Sequence, residues 1–128
     1  MKNIFAILLT ALGLNMTSCS QHDSIKSVSV QEFEKEIIEN AVQLVDVRTP
    51  GEYSAGHIAY AMNIDVMSSS FSANVAKALN KQKPVYVYCR SGHRSMTAAS
   101  VLAGEGFRVV NLSGGIMEWM GSGKAVSR

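Results

Sequence analysis

The chain has 128 residues, 47% of them hydrophobic, and a formal net charge of +2. That is one domain with enough apolar material for a core, which excludes a multidomain assembly on a single chain. Basic residues are scattered except around Cys89, which excludes nucleic acid as a partner. There is no internal repeat and no long linker.

Met1-Lys2-Asn3 carries one positive charge, Ile4 to Leu14 is an almost unbroken apolar run, and Thr17, Ser18 and Cys19 follow. This is the pattern of a secretory signal. The run is too short to span a bilayer and lacks the polar face of a core helix. Met16-Thr17-Ser18-Cys19 resembles a bacterial lipoprotein signal, although that family prefers Leu where Met16 stands. The resemblance implies a signal peptide over 1–18, a lipid on Cys19, a polar tether over 19–24 and attachment to a bacterial membrane. The expected location is the periplasmic side or the cell envelope. The alternative is ordinary cleavage near Ser18 or Ser20, leaving Cys19 free. Two cysteines in an oxidising compartment can pair. Lipidation would consume Cys19 and leave Cys89 as the one thiol.

The domain is expected over 25–120, with 121–128 as a tail. Ile25 to Val28 suits a short strand. Ser29 then reads as an N-cap, with Glu32 completing a capping-box pattern, and Val30, Phe33 and Ile37 recur at helical spacing up to Asn40. Gln43 to Arg48 is a second strand. Pro50 suits the first turn of a short helix over Gly51 to Ser54. Gly56-His57-Ile58 is a turn, and Ala61 to Asp65 a third strand. Phe71, Val75, Ala78 and Leu79 share a helix face, with Lys81 to Lys83 expected to close that helix. Pro84 starts the apolar strand Val85 to Tyr88, which ends on Cys89. Ser95 to Glu105 is helical and stops at Gly106. Arg108 to Leu112 is the last strand, and Gly114-Gly115 opens a short helix reaching Trp119 and Met120. Strands alternating with helices predict an α/β fold, a mainly parallel five-stranded sheet covered on both faces.

Ligands of such folds bind beyond the carboxyl ends of the strands. Arg48, Cys89 and the Ser113-Gly114 turn fall there. A strand running into a short loop and a helix N-terminus gathers backbone N–H groups on one spot, which suits an anion. A cysteine sulfur at that spot is favoured as thiolate, and Arg90, Arg94 and a protonated His93 act in the same direction. The bland reading of a cysteine ending a strand is a small buried apolar residue. Two Arg, a His, a Gly and two Ser within the next residues argue against an inert core thiol.

Several motifs in order resemble the rhodanese family of sulfurtransferases. They are Asp46-Val47-Arg48, Glu52-Tyr53, Gly56-His57-Ile58 and Ala61-Met62-Asn63-Ile64, then the loop Cys89-Arg90-Ser91-Gly92-His93-Arg94-Ser95. Gly106-Phe107, Val110-Asn111-Leu112 and Gly114-Gly115 to Trp119 complete the series. The resemblance spans about 25–120. One departure is Tyr60, where the family usually has Gly. The family implies a rhodanese-like fold and a Cys89 nucleophile. Cys89 would take sulfane sulfur from a small anionic donor such as thiosulfate, hold it as a persulfide, and pass it to a thiol or cyanide acceptor. It implies no cofactor and no metal, and a monomer is expected.

On this reading Arg94 donates to the loop and to the anionic substrate, and Arg90 meets incoming anions. Ser91, Gly92, His93 and Ser95 supply N–H groups and small size, with His93 either contributing or standing exposed and idle. Asp46 and Arg48 support the site by ion pairing, most simply as a structural pair. His57 reads as a hydrogen-bonded structural histidine and Trp119 as a core aromatic. Two rivals stand beside the sulfurtransferase. A phosphatase or arsenate reductase would use a Cys-x-x-x-x-x-Arg loop, one residue longer than Cys89 to Arg94. A non-catalytic binding module on the same fold usually lacks the cysteine.

Overall fold

In the computed structural model, residues 24–128 are described, and the expected signal peptide and Cys19 lie outside them. Five strands form one sheet: β1 (Ile25–Val28), β2 (Gln43–Asp46), β3 (Met62–Asn63), β4 (Val85–Tyr88) and β5 (Val109–Leu112). Their order is β1-β5-β4-β2-β3 and every neighbouring pair is parallel. The strand that carries Cys89 is therefore central. The helices are α1 (Val30–Glu39), α2 (Pro50–Ala55), α3 (Phe71–Ala78), α4 (His93–Gly104) and α5 (Gly115–Gly121).

Alternation along the strands divides the interior into two cores. Val45, Val85, Val87, Cys89 and Val109 face α3 and α4, meeting Phe71, Val75, Ala98, Ala99 and Leu102. Leu44, Tyr86, Tyr88, Val110 and Leu112 face the other way, onto Val30 and Phe33 of α1 and Ile116 and Trp119 of α5. Parallel strands buried on both faces need apolar side chains at odd and even positions alike, which is why these runs look continuous in sequence.

Several boundaries differ from expectation. The third strand is Met62–Asn63 rather than Ala61 to Asp65, and β2 ends at Asp46. Lys81 to Lys83 do not close α3, which ends at Ala78. The Gln43 side chain explains the early stop: its Oε1 accepts from Asn80 N at 2.7 Å and its Nε2 donates to Asn80 O at 2.8 Å. This two-point hold draws the chain off the helix axis. Helix α4 starts at His93, two residues before the expected Ser95. Ser29 caps α1 by accepting from Glu32 N at 3.1 Å.

Residues 121–128 pack onto the domain. Ser127 N donates to His57 O at 2.7 Å, and His57 N to Ser127 O at 2.9 Å. Lys124 pairs with Glu34 at 2.7 Å, and Trp119 Nε1 donates to Ala125 O at 3.0 Å. Trp119 is a buried core aromatic.

Candidate active site

The site is built on the end of β4. Tyr88 is held by its ring in the core, and its hydroxyl accepts from Ile58 N at 3.0 Å, which fixes the turn after α2. Cys89 follows, and Gly92 closes the loop in the left-handed region with φ 104°. A Cβ at Gly92 would collide with the Ser113 carbonyl oxygen, so the loop lies directly against the end of β5. Helix α5 clamps it from the other side. Ile116 N donates to Cys89 O at 2.9 Å and Met117 N to Arg90 O at 3.1 Å. A side chain on Gly115 would strike the Arg90 carbonyl, so the α5 start can approach this closely only as glycine.

Cys89 is 1% exposed. Its Sγ accepts from Gly92 N at 3.1 Å and, as the thiol, donates to Ser95 Oγ at 3.4 Å, while the Ser95 hydroxyl donates to Gly92 O at 3.2 Å. Burial pushes the thiol pKa up, but hydrogen bonding with the Ser95 side chain, whose hydroxyl can turn from Gly92 O to the sulfur once the thiol proton leaves, and with the backbone N–H groups of Ser95, Gly92 and Ser91 outweighs it. The net shift is downward from the ordinary thiol value. The thiolate form is thus favoured chiefly by loop donors rather than by arginine side chains, a different balance from that expected of the sequence.

The arginines are placed unequally. Arg94 does not reach for the loop: its Nη1 and Nη2 donate to Glu52 Oε1 and Oε2 at 2.8 and 2.9 Å. This corrects the expectation that the Arg94 side chain donates to the loop: Glu52 takes it instead. The Glu52 carboxyl is held down at about 2, first by the Arg94 bonds. Arg90 is exposed, and its side chain makes no hydrogen bond or ion pair among the described residues. Ser91 and His93 are also exposed.

Glu52 is the site residue that the sequence reading missed. Its signal was present in Thr49-Pro50-Gly51-Glu52, a capping-box pattern with proline at the first helical position. Both bonds of the box form: Glu52 N donates to Thr49 Oγ1 at 3.3 Å, and Thr49 N to Glu52 Oε1 at 3.2 Å.

Asp46, the last residue of β2, pairs with Arg48 just beyond the strand end. Asp46 is 0% and Arg48 6% exposed, and Arg48 Nη2 donates to Asp46 Oδ2 at 2.7 Å. Arg48 Nε and its backbone N both donate to Asp46 Oδ1, and Nη2 also donates to Gly56 O at 2.7 Å, holding the C-terminal end of α2. Asn63 Nδ2 joins the Asp46 and Arg48 carbonyls at 3.0 and 2.8 Å. The pair is buried and its bonds are spent on each other and on the Gly56 carbonyl. His57 is structural: its Nδ1 lies 2.9 Å from Tyr53 O and its ring stacks on Tyr53. Trp119 walls a mostly apolar cleft of about 540 Å³ with Ile37, Leu44, Ile58 and Tyr60, and Cys89 takes no part in that cleft.

A parallel α/β domain with a donor-lined cysteine loop at the carboxyl end of its central strand defines a class: α/β domains that carry a cysteine loop at the sheet's carboxyl edge. The family is specific. Residues 29–122 match the rhodanese-like domain, and the chain belongs to that family. It is 33% identical over 129 residues to an uncharacterised protein of Bacillus subtilis, covering 98% of each chain. It is 30% identical to thiosulfate sulfurtransferase 18 of Arabidopsis thaliana, covering 85% of this chain and 88% of that protein. Among solved structures, a rhodanese-related protein from Thermoplasma volcanium superposes with a TM-score of 0.71 at 31% identity, covering 80% of this chain and 97% of the other.

Proposed function

We propose that this protein is a sulfurtransferase that carries sulfane sulfur on Cys89. The observation that carries the proposal is the Cys89 sulfur itself, with Gly92 N at 3.1 Å and Ser95 Oγ at 3.4 Å. Relatives bearing the name thiosulfate sulfurtransferase support it. In the first half-reaction the Cys89 thiolate attacks the outer sulfur of a donor such as thiosulfate. A new S–S bond forms to Sγ, the donor S–S bond breaks, and sulfite leaves with the electron pair. In the second, a thiol or cyanide attacks the outer persulfide sulfur and the Cys89 thiolate departs. The steps balance without an external oxidant or reductant. The terminal sulfur carries negative charge between the two, and the loop N–H groups that stabilise the thiolate suit it equally.

The test is mass spectrometry after thiosulfate treatment without acceptor. Wild type gains one sulfur on Cys89, shows ping-pong kinetics with cyanide, and loses transfer in Cys89→Ser. A Cys89→Ser protein that still moves sulfur refutes the proposal. Hydrolysis of aryl phosphates with no gain of sulfur would point to the phosphatase instead. The Lys2, Ile4 to Leu14 and Cys19 pattern further supports export and a lipid anchor. Cys19→Ala should then release the protein from membranes or block its processing.

A further inference from the structure

The sequence places two arginines beside the nucleophile, but the fold leaves them in opposite states. Glu52 Oε1 accepts from Thr49 N, from Thr49 Oγ1 at 3.0 Å and from Arg94 Nη1, while Oε2 takes Arg94 Nη2. The capping box orients the carboxylate, and the carboxylate then holds the guanidinium in a fork, the geometry in which arginine is least free to turn to another anion. Arg94 lies in the first turn of α4, one residue before the Ser95 hydroxyl that touches Sγ. Its charge is therefore close to the reacting sulfur but answered by Glu52. Asp46 and Arg48 likewise cancel. Glu118, on α5, folds its carboxylate over Gly114 beside the loop. Among the described residues of the loop, Arg90 is the arginine left without a carboxylate partner to meet an incoming group.

We propose that Glu52 sets the charge selectivity of the Cys89 loop: by occupying Arg94 it makes the loop favour singly charged sulfane donors, such as thiosulfonates or low-molecular-weight persulfides, over divalent oxyanions. The proposal deepens the sulfurtransferase reading and rests on it for the word donor, but the charge balance itself does not depend on turnover. Glu52 is a positioning residue, acting through Arg94.

Sulfate is the probe. Its protection of Cys89 against alkylation by iodoacetamide gives a binding constant, measured at pH 8 and constant low ionic strength. Removing one charge a few ångströms from the bound anion changes that constant by about three- to tenfold. Glu52→Gln frees Arg94 and should lower the sulfate concentration needed by that factor. Arg94→Gln leaves Glu52 unanswered and should raise it by a similar factor, and the double variant should return near wild type. A pair that merely staples α2 to α4 would shift both single variants in the same direction, or neither, and either result overturns the proposal. In the transfer assay, Glu52→Gln should lower KM for thiosulfate more than KM for methanethiosulfonate, with kcat little changed. If wild type transfers sulfur from neither donor while the opposite sulfate shifts appear, the sulfurtransferase reading fails and the selectivity stands. If transfer is normal and the sulfate constants are unmoved, the reverse holds. Circular dichroism of each variant establishes folding, and because the two single variants must move in opposite directions, a folded Arg94→Gln tests the idea even where Glu52→Gln is lost.

Discussion

Replacing Ser95 with Ala probes how the loop favours the thiolate form of a buried thiol. The substitution keeps a good helix former in the first turn of α4 and deletes only the hydroxyl. That hydroxyl lies 3.4 Å from Sγ and also bonds Gly92 O at 3.2 Å. A hydrogen bond to a charged acceptor contributes about 1.5–3 kcal/mol, and a contact of this length to sulfur belongs at the lower end. Against that, Gly92 N at 3.1 Å and the other loop amides remain, so the thiolate is weakened and not abolished. At about 1.4 kcal/mol per factor of ten, the thiolate population at neutral pH should fall about tenfold. The assay is the pH dependence of Cys89 alkylation by iodoacetamide, with the sulfur ultraviolet absorbance as a second readout. The alkylation profile of Ser95→Ala should move to higher pH while its plateau rate stays the same. An unmoved profile in a folded variant would mean that the backbone amides alone hold the thiolate, and would refute the assignment of Ser95 as a donor to sulfur.

Asp46→Ala strands the buried Arg48 guanidinium and should destabilise the domain by about 3–5 kcal/mol, read as a lower midpoint in urea. Glu52 and Arg94 give a pH-dependent contribution of known sign. The folded-state value of Glu52 is depressed to about 2 from its ordinary 4.5, so the stabilisation is complete above 4.5 and is lost as pH falls toward 2. The two side chains remain 31% and 27% exposed, so solvent screening reduces the contribution to about 1 kcal/mol. Glu52→Gln should therefore be less stable than wild type at pH 7 by that amount and converge with it in acid. Tyr60 is 98% exposed with φ 71°. Tyr60→Gly should raise stability by about 0.5–1 kcal/mol, because a side chain in the left-handed region is strained and this one has little packing to lose.

The strand core and the cysteine loop were legible because both are local. Val85 to Tyr88 announces a strand buried on two faces, and a cysteine with small and basic residues after it announces a donor-lined turn. Tyr60 was legible as a departure from the family pattern, and the structure makes it the one residue other than glycine, among those described, with positive φ. What escaped was set by distant partners. Nothing near Arg94 says that its charge is answered by a residue 42 positions earlier. Nothing near Lys81 says that Gln43, from another strand, ends the helix at Ala78. The packed C-terminus escaped for the same reason: Ser127 has no apolar pattern of its own and is held by the backbone of His57.

The depth of Cys89 has a consequence for traffic at the site. With the residue 1% exposed, its sulfur offers a collision target only to reagents small enough to slip under the loop. A sulfur added to Sγ would extend about 2 Å beyond it, the length of an S–S bond. On the proposed mechanism the outer sulfur would be the atom an acceptor meets, while Sγ itself stayed recessed. Acceptors would be sorted by reach as well as by affinity, and a bulky thiol would meet the delivered atom before it could form a mixed disulfide with the protein.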